Sequence, residues 1–130
     1  MKLHTSSEDY LEAILILKKK KPSVRSTDLA EHLGVTKPSV SRAVGLLKKG
    51  GFLKPDESYL EFTEAGLKVA EKTYEKHCFF KARLMAAGVD EETAEKEACL
   101  LEHAVSEESF NKIKANLKNE SDYKPRGRPE

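Results

Sequence analysis

Three side chains that can bind a metal ion lie close together in the second half of the chain. Cys99, Glu102 and His103 stand in the segment KEACLLEHAVS, at positions i, i+3 and i+4. In an α-helix these positions share one face, so a thiol, a carboxylate and an imidazole can converge on one point. Sulfur, oxygen and nitrogen donors in one place favour a divalent transition metal.

Further candidate ligands are distant from this segment in sequence. Two carboxylates three residues apart share a helix face near the N-terminus, and a histidine lies within a long helical segment. The complete candidate set is Asp9, Glu12, His77, Cys99, Glu102 and His103. Spacing alone supports structural roles equally well. Cys99 could be a buried apolar residue, and Glu102 and His103 could be an exposed pair near the helix end. Asp9 could stabilise the first helix through its dipole.

Residues 27–48, TDLAEHLGVTKPSVSRAVGLLK, have the pattern of a helix-turn-helix. Ala30 is small where two helices approach closely, and Gly34 can adopt the positive φ that the turn needs. The pattern predicts a buried face made of Leu29, Leu33, Val35, Val40, Val44 and Leu47. Short hydrogen-bonding side chains and two cations remain exposed, suited to phosphates and base edges. The predicted DNA-contacting residues are Ser26, Thr27, Thr36, Lys37, Pro38, Ser39, Ser41 and Arg42.

Charge is divided unevenly along the chain. Residues 1–54 hold 11 basic and 5 acidic residues, whereas residues 55–130 carry a net charge of −5, although the total is only +1. The positive half contains the helix-turn-helix, which indicates contact with a polyanion. Part of this positive charge comes from the run Lys18 to Lys21, which also fits a solvated helix end. The alternative interpretation of residues 27–48 is a plain helical hairpin that does not bind DNA. DNA binding is nevertheless favoured, because the positive charge, the helix caps, the turn at Gly34 and the hairpin that follows all agree with it.

The fold is predicted to be mainly α with one small hairpin. Helices are expected at residues 7–21, 27–33, 37–49, 64–87, 91–104 and 106–117, with Ser26, Thr36 and Thr63 among their caps. Two short strands, 52–54 and 59–62, form the hairpin as a wing. The predicted organisation is an N-terminal winged helix-turn-helix domain (1–63), an all-helical metal-binding and dimerisation domain (64–120) and a loose tail (121–130).

Composition excludes several classes of protein. The chain is 38% hydrophobic with only 2 cysteines, which argues against disorder and against a disulfide framework. No apolar run approaches the ~20 residues that span a bilayer, so we expect a cytoplasmic protein without membrane contact. Catalytic zinc would be the enzymatic alternative, but no phosphate loop, nucleophile elbow or HExxH motif is present. We therefore expect neither an enzyme nor a small-molecule substrate.

Several segments resemble the diphtheria-toxin-repressor family of iron- and manganese-dependent regulators: SSEDYLEAI, SVSRAV, LEFTEAG, EKH at 75–77 and above all EACLLEHAVS. The resemblance covers about residues 5–117. It implies a winged helix that binds a double-stranded DNA operator, a helical domain that forms a homodimer, and a metal site at their junction. The metal-loaded dimer would repress metal-uptake genes. The alternative is a winged-helix regulator with a redox or organic effector and no metal site, Cys78 or Cys99 being the redox sensor.

The resemblance also relates the candidate ligands to two kinds of family member. Cys99 matches iron-type members, whereas His77 and the two first-helix acids match manganese-type members. A second site of iron-type members would need an acid and a histidine where this chain has Lys81 and Glu95. Because a thiolate favours softer ions than manganese, Fe²⁺ is expected over Mn²⁺, with Co²⁺, Ni²⁺ or Zn²⁺ as substitutes.

Overall fold

The computed structural model describes residues 5–56 and 58–119, and within these ranges the chain is almost entirely helical. The mainly helical class expected from the sequence is confirmed. The predicted tail, 121–130, lies outside the described residues. No helix among the described residues is long and apolar enough to cross a membrane. The helices are α1 (Thr5–Lys20), α2 (Ser26–Leu33), α3 (Lys37–Lys49), α4 (Glu64–Ala86), α5 (Glu91–Ala104) and α6 (Glu107–Asn119).

Side-chain and backbone caps set the helix starts. The N-cap of α2 is Arg25 and not Ser26 as expected, because Asp28 in the first turn accepts the Arg25 backbone N–H at 2.8 Å. Thr36 and Thr63 cap α3 and α4 as expected, each accepting a backbone N–H from the third helical residue. These bonds satisfy donors that the first turn of a helix leaves without partners.

The first three helices enclose one apolar core. Leu11 and Ile14 of α1 are fully buried against the helix-turn-helix, which contributes Leu29, Val40 and Leu47. Each such side chain stabilises the fold by about 1.5–3 kcal/mol relative to an exposed one. The core thus uses one face of α1 to hold the orientation of α2 and α3.

The turn of the helix-turn-helix exposes one residue that was predicted to be buried. Gly34 adopts a φ of 69°, and the N–H groups of Gly34 and Val35 both donate to the Ala30 carbonyl. This geometry ends α2 and directs the Val35 side chain outward, where it is 38% exposed. The expectation that Val35 is buried was wrong, whereas the α3 positions of that face are buried.

The expected wing contains no regular strand among the described residues. A single antiparallel bridge pairs Leu53 with Phe62 in place of the two predicted strands. The backbone N–H of Leu60, on the outer edge of this segment, donates to the Val24 carbonyl, at 2.8 Å, in the segment before α2. The expectation of two strands was wrong because a turn begins at Pro55, two residues after the bridge, and the pairing does not extend past it.

The long helix α4 contacts both α1 and α5. Alanines at positions 94 and 98 are buried on α5, where small side chains let two helices approach closely. The ring of Phe110, in α6, lies edge-on to Phe79, with the centroids 5.2 Å apart, and also contacts Phe80. These aromatic residues therefore form an intramolecular cluster, whereas Leu100 is 72% exposed.

Gly66, in the first turn of α4, lies directly against the wing backbone. A Cβ atom at this position would be 1.9 Å from the Phe52 carbonyl oxygen and 2.8 Å from the carbonyl carbon. The same carbonyl accepts the Thr63 backbone N–H at 3.2 Å. The absence of a side chain at Gly66 therefore allows α4 to start beside the helix-turn-helix half.

We expect Gly66→Ala to lower the free energy of unfolding by about 2–3 kcal/mol, because the added carbon meets backbone atoms that cannot rotate away. Gly45→Ala is the matched control, since a Cβ there meets no atom within 4 Å. The control should be neutral or stabilising by up to about 1 kcal/mol, from helix propensity. Urea unfolding of both variants checks this, and equal stability of Gly66→Ala and wild type would contradict it.

Candidate metal centre and nucleic-acid interface

The six candidate ligands come from three helices that pack together. Helix α1 contributes two of them, α4 one and α5 three. Five of the six supply donor atoms to two overlapping groups, each with atoms within 4.8 Å of one another; Glu102 belongs to both groups and Glu12 to neither. The groups are His77–Cys99–Glu102 and Asp9–Glu102–His103.

Glu102 is the centre of this cluster. It is 2% exposed, and its Oε1 atom lies 2.8 Å from His77 Nδ1. Its Oε2 atom lies at ion-pair distance, 3.2 Å, from His103 Nε2, but it makes no hydrogen bond within the described residues. One buried carboxylate therefore joins the histidines of α4 and α5.

Glu12 faces this carboxylate from α1. It is 7% exposed, and its buried Oε2 atom also has no hydrogen-bonding partner in the described part of the chain. Burial, followed by the adjacent Glu102 carboxyl, raises the pKa of Glu12 to about 9. Carboxylates buried together are costly unless a proton or a cation balances their charge.

The unpartnered oxygens of Glu12 and Glu102 show that the cluster suits a divalent cation. Both atoms are buried acceptors, and neither makes a hydrogen bond within the described residues. Carboxylate oxygens, imidazole nitrogens and a thiol are the ligands that iron, manganese and related ions use. A cavity of about 250 Å³ adjoins the cluster, and its lining includes His32 and Leu33 of α2.

His103 connects the cluster to the start of α1. Its Nε2 atom lies 2.8 Å from Asp9 Oδ1, and its Nδ1 atom lies 2.7 Å from Glu8 Oε1. Burial acts to lower the pKa of His103, but the hydrogen bonds to Asp9 and Glu8 outweigh it, so the pKa is raised. Sequence reasoning missed Glu8. Its position four residues before Glu12, on the same helix face, was the available signal.

Cys99 lies at the edge of the cluster and is half-buried. Its Sγ atom is 3.8 Å from His77 Nδ1. Burial and then repulsion from Glu102 raise the pKa of the Cys99 thiol to about 12, so the thiol keeps its proton at neutral pH when no metal is bound. Cys78, one position after His77, is exposed.

The predicted DNA-contacting residues lie at the starts of α2 and α3. All except Ser39 are exposed. Thr36 caps α3 and donates its hydroxyl to Ser39 Oγ at 2.9 Å, so these two hydroxyls are already bonded to each other. The cations Lys37 and Arg42 are exposed, with Ser41 between them. An exposed helix start bearing cations and short donors can contact phosphates and base edges.

Comparison with known proteins identifies the family. Residues 2–60 match the family model described as iron dependent repressor, N-terminal DNA binding domain. Residues 63–130 match the iron dependent repressor, metal binding and dimerisation domain. This chain belongs to the iron-dependent repressor family. The resemblance found in the sequence motifs is thereby confirmed, and the family consists of metal-dependent transcriptional regulators that bind DNA and dimerise, not of enzymes.

Individual relatives span most of the chain. An uncharacterised HTH-type transcriptional regulator of Methanocaldococcus jannaschii is 37% identical over 113 residues, which is 84% of this chain and 90% of that protein. The HTH-type transcriptional regulator MntR of Bacillus subtilis is 33% identical over 109 residues, covering 83% and 77%.

Two solved structures of manganese regulators share the fold. A manganese-dependent transcriptional repressor in complex with manganese gives a TM-score of 0.76 at 27% identity, covering 86% of this chain and 52% of that one. The manganese regulator SloR gives 0.74 at 27% identity, covering 86% and 53%. This family member therefore spans about half the length of these two chains.

Metal binding should release protons and strengthen as pH rises. At pH 7 the groups with raised pKa values, Glu12 and His77 near 9 and Cys99 near 12, still hold protons that ligands must lose. We expect the apparent affinity for Mn²⁺ to increase from pH 6 to pH 9. Calorimetry in two buffers of different ionisation enthalpy counts the released protons. Equal heats in both buffers, with a flat pH profile, would contradict this arrangement.

Proposed function

We propose that this chain is a DNA-binding regulator that represses metal-uptake genes when its metal site is loaded. The observation that supports this is the pair of buried, unpartnered carboxylate oxygens of Glu12 and Glu102, one on the helix-turn-helix half and one on α5. We assign residues 1–63 to the DNA-binding domain and residues 64–120 to the metal-binding and dimerisation domain. A protein acting on DNA fits the expected cytoplasmic location.

The proposed metal ligands are Asp9, Glu12, His77, Cys99, Glu102 and His103. A bound cation would supply the positive charge that these carboxylates lack. Glu102 already holds the histidines of α4 and α5 in place, and Asp9 bonds His103 from α1. These residues can therefore link α1 to α5. The net charge of this group of side chains would change when its protons are exchanged for a cation.

The link can influence DNA binding because α1 belongs to both halves. Leu11 and Ile14 pack in the core of the helix-turn-helix, while Asp9 and Glu12 face the metal cluster. A ligand shifts a conformational equilibrium only by its differential affinity for the two states. The proposed switch is a change in the spacing of two recognition helices in a homodimer, such that loaded protein fits half-sites about 34 Å apart.

The proposed DNA contacts are made by the starts of α2 and α3. Helix α3 would enter the major groove, with Arg42 and Lys37 as its cations. The dimer would use apolar residues that the intramolecular core leaves uncovered, Leu100 and Met85 among them. The proposed set of contact residues remains Ser26, Thr27, Thr36, Lys37, Pro38, Ser39, Ser41 and Arg42.

The proposed metal is Fe²⁺ or Mn²⁺, with Cys99 as the residue that decides between them. The expectation of iron over manganese has no support from the comparisons, because the relatives whose names state a metal are manganese regulators. A thiolate nevertheless favours softer ions, and Cys99 stands within reach of His77 and Glu102.

Cobalt tests whether Cys99 is a ligand. An anaerobic Co²⁺ titration of wild type should produce a thiolate charge-transfer band in the near ultraviolet, and Cys99→Ser should remove it. Cys78→Ser is the matched control and should keep the band. A spectrum without the band in wild type would show a site of oxygen and nitrogen donors, which favours manganese.

Glu102→Gln tests the proposed function. We expect Mn²⁺ to raise the affinity of wild type at least about fivefold for a DNA duplex selected from a random pool by the loaded protein. Glu102→Gln keeps the side-chain size but removes a central charge, so the response should disappear. Glu97→Gln, exposed on the same helix, should respond as wild type does. Fluorescence anisotropy at fixed salt measures all three.

Arg42→Ala provides the complementary result. It should weaken DNA binding while leaving Mn²⁺ affinity unchanged, because its side chain is exposed on α3, outside the ligand cluster. A wild-type response that survives in Glu102→Gln but is lost in Cys78→Ser would instead identify a redox-sensing regulator and contradict the metal proposal.

A further inference from the structure

His77 has a carboxylate against each of its ring nitrogens. Nδ1 faces the buried side, 2.8 Å from Glu102 Oε1 and 3.8 Å from Cys99 Sγ. Nε2 faces the opposite way and lies 3.0 Å from Glu95 Oε2. The side chain of Glu95 is 49% exposed, so this second carboxylate lies at the outer edge of the cluster.

Glu95 is itself held from the other side. Lys81 Nζ lies 3.1 Å from Glu95 Oε1 and 3.5 Å from Glu91 Oε2. One oxygen of Glu95 therefore bonds the lysine and the other bonds His77. Lys81 lies four residues after His77, one turn further along the same face of α4, so both side chains reach the same Glu95 carboxylate.

We propose that Glu95, held by Lys81, is a positioning residue that selects the metal-binding nitrogen of His77. A neutral imidazole carries one proton, and the nitrogen that lacks it is the one that can bind a metal. A carboxylate on Nε2 keeps the proton there, so the Nδ1 lone pair points toward Cys99 and Glu102. Carboxylates commonly orient metal-bound histidines in this way. The inference rests on the proposed metal site.

His103 shows the same arrangement with the nitrogens exchanged. Its Nε2 atom faces Asp9 and Glu102, and its Nδ1 atom lies 2.7 Å from Glu8 Oε1. Each histidine of the cluster thus presents one nitrogen to the other ligands and the opposite nitrogen to a carboxylate outside the ligand set. The repeat of this pattern on α4 and α5 supports a positioning role for the outer carboxylates.

Cobalt affinity in three variants tests the role of Glu95. Competition with a chromophoric chelator should show a 10- to 100-fold loss for Glu95→Ala, the range typical of such outer carboxylates. Glu95→Gln should lose much less, because its amide oxygen still accepts the Nε2 proton. Glu97→Ala, which removes the same charge from the same helix, should match wild type. Unchanged affinity in Glu95→Ala, or equal losses in the Ala and Gln variants, would overturn the proposal.

Lys81→Met separates positioning from simple charge effects. Removing a nearby cation should strengthen metal binding if Lys81 only repels the ion. Positioning through Glu95 predicts the opposite, a loss of Co²⁺ affinity. That loss should vanish in the Glu95→Ala background, because the two residues then no longer act together. A gain in affinity in the single variant would overturn the role of Lys81.

The proton position can be observed directly. In Zn²⁺-loaded protein with ¹⁵N-labelled histidine, long-range ¹H–¹⁵N spectra should place the His77 proton on Nε2 and the metal on Nδ1. A proton on Nδ1 would overturn the inference. Wild type that binds no Co²⁺ or Zn²⁺ would refute the proposed function itself, whereas normal binding with insensitivity to Glu95 would refute only the positioning role.

Discussion

The close approach of two buried carboxylates, Glu12 and Glu102, is the constraint on which the rest of the structure depends. Each has an oxygen without a hydrogen-bonding partner among the described residues, and they lie on helices from opposite halves of the chain. In the metal-free protein, raised pKa values keep Glu12 protonated and His77 charged, which balances the cluster. In the proposed function, a bound cation would take the place of these protons.

Helix α1 connects the carboxylate cluster to the helix-turn-helix. One of its faces supplies Leu11 and Ile14 to the helix-turn-helix core, and the adjacent face places Asp9 and Glu12 beside the cluster. A change of charge in the cluster therefore acts on the element that also orients α2 and α3. The contact of Gly66 with the wing backbone is a second connection between the halves, and it depends on shape instead of charge.

Local signals in the sequence predicted most of the helices and part of the residue cluster between α1, α4 and α5. Thr36 and Thr63 could be recognised as caps because their hydroxyls act within one turn, and the i, i+3, i+4 spacing brings the α5 ligands together in any helix. The exposed position of Val35 follows from the backbone geometry of the turn after α2, and the single bridge of the wing follows from the turn that begins at Pro55. Hydrophobic spacing alone specifies neither of these backbone conformations. Glu8 shares a helix face with Glu12, but its contact with His103, 95 residues away, could not be predicted from that spacing.

Hydrogen exchange of α1 amides, with and without saturating Mn²⁺, tests the central claim most directly. If the carboxylates of α1 bind a cation together with α5, protection should increase across α1 and α5 in wild type but not in Glu102→Gln. Increased protection in the wild type alone would support the account. Mn²⁺ binding that leaves α1 exchange unchanged, or protects Glu102→Gln equally, would contradict it.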